Sequence, residues 1–309
     1  MKLNNQYGLP QTLINLHNKQ RREYAETKDT ADMSVTQLIR SPRIDLLRKT
    51  HWHEMEEDIA DRLWAILGTV IHRIMEEGGD EIHLTEENLR TVLEGYEIKG
   101  GIDVVKKGNR FKILDYKFTR AIKFQKQDYT DWEEQLNLYR WLAWKVLGFD
   151  IDELEVVMFV RDFAQGFADT QKNYPRASAV PIKIKMWPLE KAEAFLRERI
   201  LMHQDARRAV EWGEDLPLCT DEDRWKRGSK WIVMKKGGKR AAKIAKDAKE
   251  AGEWKMSKKK PDDYEVIERH DKPSRCMGVN GNGYCGVAKW CDQWQADKHN
   301  YEEDKDDAS

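Results

Sequence analysis

Two aspartates and a lysine stand close together around one short turn. Gly100-Gly101-Ile102-Asp103-Val104-Val105 is followed, across Lys107-Gly108-Asn109, by Ile113-Leu114-Asp115-Tyr116-Lys117. Residues Glu97 to Val105 and Phe111 to Phe118 alternate and are rich in Ile and Val, which predicts two strands paired across a hairpin. Pairing brings Asp103 and Asp115 together. Two close carboxylates repel unless a cation sits between them, the arrangement that a hard divalent ion needs. Asp115 and Lys117 are two apart and point to the same side of a strand, so the ammonium reaches the same place. This set suits phosphodiester hydrolysis, in which a metal polarises a phosphoryl oxygen and activates a bound water. Lys117 would orient that water and offset the developing negative charge. Gly100 and Gly101 leave room for backbone or substrate to approach.

A lone Asp-x-Lys is ordinarily the solvent face of a strand pair, and its neighbours in sequence decide its meaning. Upstream lies Gly68-Thr69-Val70-Ile71-His72, in which His72 reads either as a ligand or base or as a partly buried ordinary histidine. Downstream lies Gln135-Leu136-Asn137-Leu138-Tyr139. Gln135 and Tyr139 share one helix face, aimed at a phosphate or the lysine, or else with Tyr139 packed and Gln135 at the rim.

A second constellation is made of Cys219, Cys276, Cys285 and Cys291, the last three within sixteen residues. Without an export signal, metal ligation or catalysis is favoured over disulfides. Four thiolates bind either one zinc ion or a [4Fe-4S] cluster. Short Cys-x2-4-Cys knuckles are absent, and the wide, uneven spacing suits the cluster better. Either centre would act mainly as a staple for a segment with little core of its own. Between the first two cysteines run Arg224-Trp225-Lys226-Arg227, Lys230-Trp231 and Lys235-Lys236-Gly237-Gly238-Lys239-Arg240. Cations interleaved with Trp suit single-stranded nucleic acid, the charges tracking phosphate and the rings stacking on bases. The other reading is a solvated basic face with Trp225 and Trp231 in a small core.

The elements that must position these residues follow from periodicity. Ser34 to Trp52 predicts two short helices broken at Ser41-Pro42. Glu54 to Glu77 carries a helical apolar stripe ended by Gly78-Gly79. Thr85 to Leu93 reads as a further helix capped by Thr85. Trp132 to Leu147 is a helix closed by Gly148, Glu153 to Asp162 and Val180 to Trp187 are strands, and Leu189 to Trp212 is a long amphipathic helix. This order predicts an α/β fold with a mixed central β-sheet flanked by helices, followed by a C-terminal cysteine-rich metal-binding subdomain. The expected division is a loosely ordered arm or short helix over 1–33, a core over 34–213, a basic four-cysteine subdomain over 214–298 and an acidic tail over 299–309.

The 309 residues include 40% hydrophobic and 35% charged side chains, enough for a real core and too many aromatics and aliphatics for a disordered chain. The formal net charge of -1 conceals a segment, Asp221 to Lys260, with fifteen Lys/Arg against six Asp/Glu. Near-neutrality therefore does not exclude nucleic acid. No apolar run is long enough for a membrane span, and the opening residues do not read as a secretory signal, so a cytoplasmic location is expected.

In this order, Gly-Thr-x-x-His, Gly-Ile-Asp, Asp-Tyr-Lys and Gln-Leu-x-x-Tyr resemble the RecB-type branch of the PD-(D/E)XK nuclease superfamily, over about residues 34–162. The resemblance implies a restriction-endonuclease-like core. It makes Asp103 and Asp115 ligands of Mg2+ or Mn2+, His72 a further ligand and the Tyr116 carbonyl the completing one. Lys117 becomes the catalytic lysine, and Gln135 and Tyr139 an accessory pair that positions substrate and lysine. The family's upstream acidic residue falls among Glu54, Glu56 and Glu57. RecB-like exonucleases of phages, CRISPR systems and bacterial recombination complexes often hold a four-cysteine iron-sulfur cluster. In several the first cysteine precedes the core, whereas here Cys219 follows it, an order closer to phage-encoded members. The function implied is a DNA exonuclease acting on ends or single strands in phage or mobile-element recombination and leaving a 5′-phosphate. Recombinase, helicase or single-strand-binding partners would belong to such a role, in a bacterial host or phage-infected cell. The alternatives are a nuclease that trims DNA for CRISPR adaptation, a non-catalytic DNA-binding scaffold, and a metal-binding module whose hairpin is idle. The intact Asp103, Asp115 and Lys117 argue against the scaffold.

Overall fold

The computed structural model describes residues 1–26, 31–108, 110–226, 228–238, 240–277 and 283–302. The chain forms two compact units, one of Met1–Pro42 with Trp52–Asp215, the other of Arg43–His51 with Leu216–Ser309.

The first unit opens with β1 (Lys2–Asn4) and α1 (Gln11–Glu26). β2 (Met33–Ser34) leads into α2 (Val35–Leu38), where the Ser34 hydroxyl accepts the Gln37 amide. The chain then passes through α3 (Pro42–Thr50), which from Arg43 on belongs to the second unit, before β3 (Glu56–Asp58) pairs in parallel with β1. Asp58 then caps α4 (Ile59–Glu77) by accepting the Ala60 amide. β4 (His83–Leu93), β5 (Tyr96–Lys106) and β6 (Phe111–Thr119) follow, then α5 (Ala121–Lys126) and α6 (Thr130–Leu142), which passes into a π-helical turn over Ala143–Leu147. β7 (Ile151–Val160), α7 (Gln165–Thr170), β8 (Ala179–Ile184) and α8 (Leu189–Trp212) complete the unit.

The sheet runs β2-β5-β6-β7-β8, with β4 on the other edge of β5. β2–β5 and β6–β7 are parallel and the rest antiparallel, so the sheet is mixed and flanked by helices, as expected. Leu136, Leu138, Trp141 and Leu142 of α6 pack into one core with Ile98, Ile102, Ile113, Val156 and Met158 of the strands and Leu196 and Ile200 of α8. Buried Asn137 fixes the helix to the chain beyond β8, donating to the Lys185 carbonyl at 2.9 Å and accepting the Trp187 amide at 2.7 Å.

Two sequence expectations change. Thr85 to Leu93 is strand, not helix: β4 pairs with β5 along its length, closing through Glu94 and Gly95 at φ +52° and +77°. Two successive positive φ values are the signature of a two-residue hairpin turn, and they set the register Leu93 opposite Tyr96. The helix expected from Glu54 starts at Ile59, because Glu56–Asp58 is committed to β1. Over 1–33, where a loosely ordered arm or a short helix is expected, the helical alternative holds: a short strand precedes a 16-residue helix with His17 buried.

In the second unit, β9 (Lys230–Lys235), β10 (Ala241–Ala245), α9 (Ala248–Met256) and β11 (Tyr264–Arg269) form a three-stranded antiparallel sheet in the order β10-β9-β11 with one helix on it. Val233, Ala245 and Ala251 are its small core, ringed by Trp231, Trp254, Tyr264 and Val266. Asp247 caps α9 by accepting the Glu250 amide at 2.8 Å. The short helices α10 (Ser274–Met277), α11 (Asp292–Asp297) and α12 (His299–Glu302) follow. Among the described residues no helix is long and apolar enough to cross a membrane.

Candidate active site and cysteine pocket

One edge of β5 is filled by β4. The other is divided: Ile98 and Lys99 pair with β2, and Val104 to Lys106 pair with β6. Gly100 to Asp103 lie in the gap between these two ladders. There the Tyr116 amide donates to Asp103 Oδ2 at 2.8 Å, taking a side-chain acceptor where the backbone ladder has ended. His72, from α4, places Nδ1 3.3 Å from the same oxygen and stands edge-on to the Tyr116 ring at 6.2 Å. Lys117 Nζ lies 2.7 Å from Asp115 Oδ2.

The electrostatics join these groups into one cluster. Burial pushes the Asp115 carboxyl up to about 6, opposed by Lys117 and reinforced by the Asp103 charge. The hydrogen bond to Asp103 holds His72 above its ordinary value against the effect of burial, with Asp115 adding to the rise and Lys117 subtracting from it. Asp115 is 1% exposed, and its Oδ2 accepts no hydrogen bond although the ammonium is within ion-pair range. The close approach is therefore off the direction that a hydrogen bond requires.

A buried carboxylate whose Oδ2 has an ion pair but no directed hydrogen bond, beside a second carboxylate and an imidazole, is a donor set that fits a hard divalent cation. Among the described residues no three His, Cys, Asp or Glu side chains are drawn close enough together to hold a metal ion. Asp103 is turned to His72 and the Tyr116 amide, and Asp115 to Lys117.

Gln135 and Tyr139 form a buried pair, the Gln135 amide donating to the Tyr139 hydroxyl at 2.8 Å. Gly100 explains their place. A Cβ there would stand 2.7 Å from Leu142 Cδ1 and 3.0 Å from Tyr139 Cε1. The glycine thus admits α6 rather than substrate. Of the three upstream acids, Glu56 pairs with Lys2 and Glu57 with Arg62, each at 3.3 Å.

In the second unit all four cysteines line one small pocket. Burial pushes the Cys276 thiol up, opposed by Arg224 and reinforced by Cys285 and Cys291. Burial likewise raises Cys285, opposed by the Val287 amide and Arg275 and reinforced by Cys291. The Gln293 amide clamps the Cys219 backbone, accepting its N–H at 2.9 Å and donating to its carbonyl at 3.0 Å. Arg43 of α3 is fully buried beside this pocket. It donates to the Pro217 carbonyl at 2.9 Å and the Leu216 carbonyl at 2.5 Å, pairs with Asp292, and lies 3.9 Å from Cys291 Sγ. Nothing in the local sequence around Arg43 signals this role, because every partner is remote.

The basic residues separate by environment. Arg224 is buried, ion-paired to Asp297 at 2.7 Å and set against Cys276, so it serves the pocket and is withdrawn from a solvent-facing DNA path. Lys226 pairs with Asp221 at 3.0 Å. Trp225 is 44% exposed, with Arg275 over its ring at 5.4 Å. Lys230, Lys235, Lys236 and Arg240 are exposed, whereas Trp231 packs on the small core. Arg227 and Lys239 lie outside the described residues.

Among solved structures, SSO0001 matches with 18% identity and a TM-score of 0.45, over 62% of this chain and 87% of that one. A candidate exonuclease from Eubacterium rectale matches with 13% identity and a TM-score of 0.28, over 70% of this chain and 74% of that one. No curated protein matches the chain. The family model of the PD-(D/E)XK nuclease superfamily matches residues 11–292, a span that contains the Asp103–Lys117 cluster and all four cysteines. The chain therefore belongs to the PD-(D/E)XK nuclease superfamily.

Proposed function

We propose that this protein is a divalent-metal-dependent deoxyribonuclease of the RecB type, hydrolysing phosphodiester bonds at DNA ends or in single strands during phage or mobile-element DNA processing. The observation that carries the reading is the buried Asp115 oxygen without a hydrogen bond, beside Lys117, at the gap in the β5 edge where Asp103 lies. Asp103, Asp115 and the Tyr116 carbonyl, with His72, would hold Mg2+ or Mn2+. A bound ion of this kind supplies charge neutralisation at the phosphoryl oxygen and a water acidified towards hydroxide. The chain's own groups do the rest. The Tyr116 amide and His72 fix the Asp103 carboxylate. Lys117, a quarter exposed, presents its ammonium where negative charge accumulates and can orient the attacking water. The Gln135–Tyr139 pair braces α6 against β5.

The cysteine pocket reads as the seat of a metal centre, an iron-sulfur cluster ahead of zinc. The shared pocket, the mutual influence of the thiols, and the guanidinium groups of Arg43, Arg224 and Arg275 around it support this, since thiolate ligation gathers negative charge that cations offset. We assign nuclease chemistry to 34–213 and the metal staple to 214–298. Trp225, Lys226, Lys235, Lys236 and Arg240 belong to a DNA path. A recombinase, helicase or single-strand-binding protein in a bacterial cytoplasm would be the natural partner.

The test is cleavage of end-labelled single- and double-stranded DNA with Mg2+ or Mn2+, comparing the wild type with Lys117→Ala. Cleavage by the wild type, lost in a folded variant, is expected. A metal-replete wild type that cuts neither substrate overturns the reading.

A further inference from the structure

Trp64 of α4 is 43% exposed although it is a large aromatic side chain. The Arg161 guanidinium carbon lies 4.8 Å from its ring centroid. The Phe118 ring, beside Lys117 in sequence, leans on the same indole at 6.0 Å and 47°. Arg161 follows β7 directly, and its amide donates to the Thr119 carbonyl at 2.9 Å. Thr119 is two residues past Lys117, about 7 Å along β6. The neighbouring Arg120 has Asp162 at 3.2 Å, but among the described residues no carboxylate pairs with the Arg161 side chain.

A guanidinium lying against an indole keeps its N–H donors in its own plane, pointing outward and uncommitted. The stacking also removes rotamer freedom, so the donors are held ready. Along α4, Trp64, Gly68 and His72 are spaced four apart and share one face, over about 12 Å. A Cβ built at Gly68 meets nothing within 4 Å. Open space therefore lies on this face between His72, in the acidic cluster, and the unpaired guanidinium.

We infer that Arg161, seated over Trp64, clamps a backbone phosphate of the DNA strand next to the one being cut. This rests on the nuclease reading of the cluster. A strand held at Asp103 and Lys117 must carry further phosphates away from it, and an uncommitted planar fork is the group that takes a phosphate with two parallel hydrogen bonds. Arg161 is the binding residue and Trp64 the positioning residue.

The experiment is binding of the full chain to labelled single-stranded and duplex DNA in EDTA, followed by fluorescence anisotropy as NaCl is raised. Arg161→Ala should weaken binding roughly tenfold at low salt. It should also flatten the plot of log affinity against log salt by about 0.7 on single strands or 0.9 on duplex, the signature of one lost phosphate contact. Arg161→Lys should keep the slope. Trp64→Leu should flatten it and Trp64→Phe restore it, which a packing role alone would not do. With Mg2+ present, Arg161→Ala should raise KM more than it lowers kcat. A salt slope in Arg161→Ala equal to wild type overturns the clamp, as does a wild type that binds neither DNA. Because turnover is absent in EDTA, the slope is independent of cleavage. A wild type that cuts DNA while Arg161→Ala keeps its slope sinks the clamp alone, and a wild type that never cuts sinks the nuclease reading.

Discussion

Replacing Asp115 with Asn should make the protein more stable while destroying its chemistry. Asp115 is 1% exposed, and burial lifts its carboxyl from 3.8 to about 6 against the pull of Lys117. Between pH 3.8 and about 6 the unfolded chain releases this proton while the folded chain keeps it. Stability therefore falls across that window and stays low above it. The gap of about 2 units is worth about 3 kcal/mol. Asparagine keeps the shape and carries no charge to desolvate, so Asp115→Asn recovers about 3 kcal/mol at pH 8 and about half of that at pH 5. For a unit of this size that is roughly 6–12 °C in melting temperature. The assay is thermal or urea unfolding of both proteins in EDTA at pH 8 and pH 5, with DNA cleavage measured alongside. Asp115→Asn no more stable than wild type at pH 8, or an advantage that does not shrink on acidification, refutes the claim that Lys117 only partly offsets the desolvation of this carboxylate.

Two further outcomes follow. Cys285→Ala should empty the cysteine pocket of bound iron or zinc and lower the melting temperature of the second unit, read by elemental analysis and calorimetry. Unchanged metal content and melting would remove the staple. Gly100→Ala should cost about 1–3 kcal/mol, because its methyl falls on Leu142 and Tyr139 in a buried contact; urea unfolding that matches wild type would show that α6 can retreat at no cost.

The hairpin of β5 and β6 was legible in the sequence because period-two alternation and a short polar turn are local signals, and Asp103, Asp115 and Lys117 sit within them. The long helix carrying His72 was equally plain, though Asp58 rather than Glu54 begins it. β4 was misread because Glu-Glu-Asn-Leu-Arg favours helix by composition, while the deciding signal, Glu94-Gly95, is a turn that matters only once β5 is there to pair. The sheet around Trp231 was hidden in a segment read only for its charge. Arg43 and Arg161 could not have been found by spacing. Their partners are brought in by tertiary structure, and an arginine whose neighbours are remote in sequence looks like any surface cation.

The buried Arg43 also has a consequence for the order in which the protein can be made. It leaves the ribosome 248 residues ahead of Cys291, roughly 10–50 s at ordinary rates of synthesis. Its side chain lacks Leu216 and Pro217 for the first 173 residues of that interval and Asp292 for all of it. The strands and helices over Trp52–Asp215 emerge in the meantime and can fold as they appear, whereas the segment bearing Arg43 must wait for Asp292. Maturation of the cysteine pocket therefore cannot precede the synthesis of Cys291. A nascent chain arrested before residue 291 would carry the complete Asp103–Lys117 hairpin with its pocket still unmade.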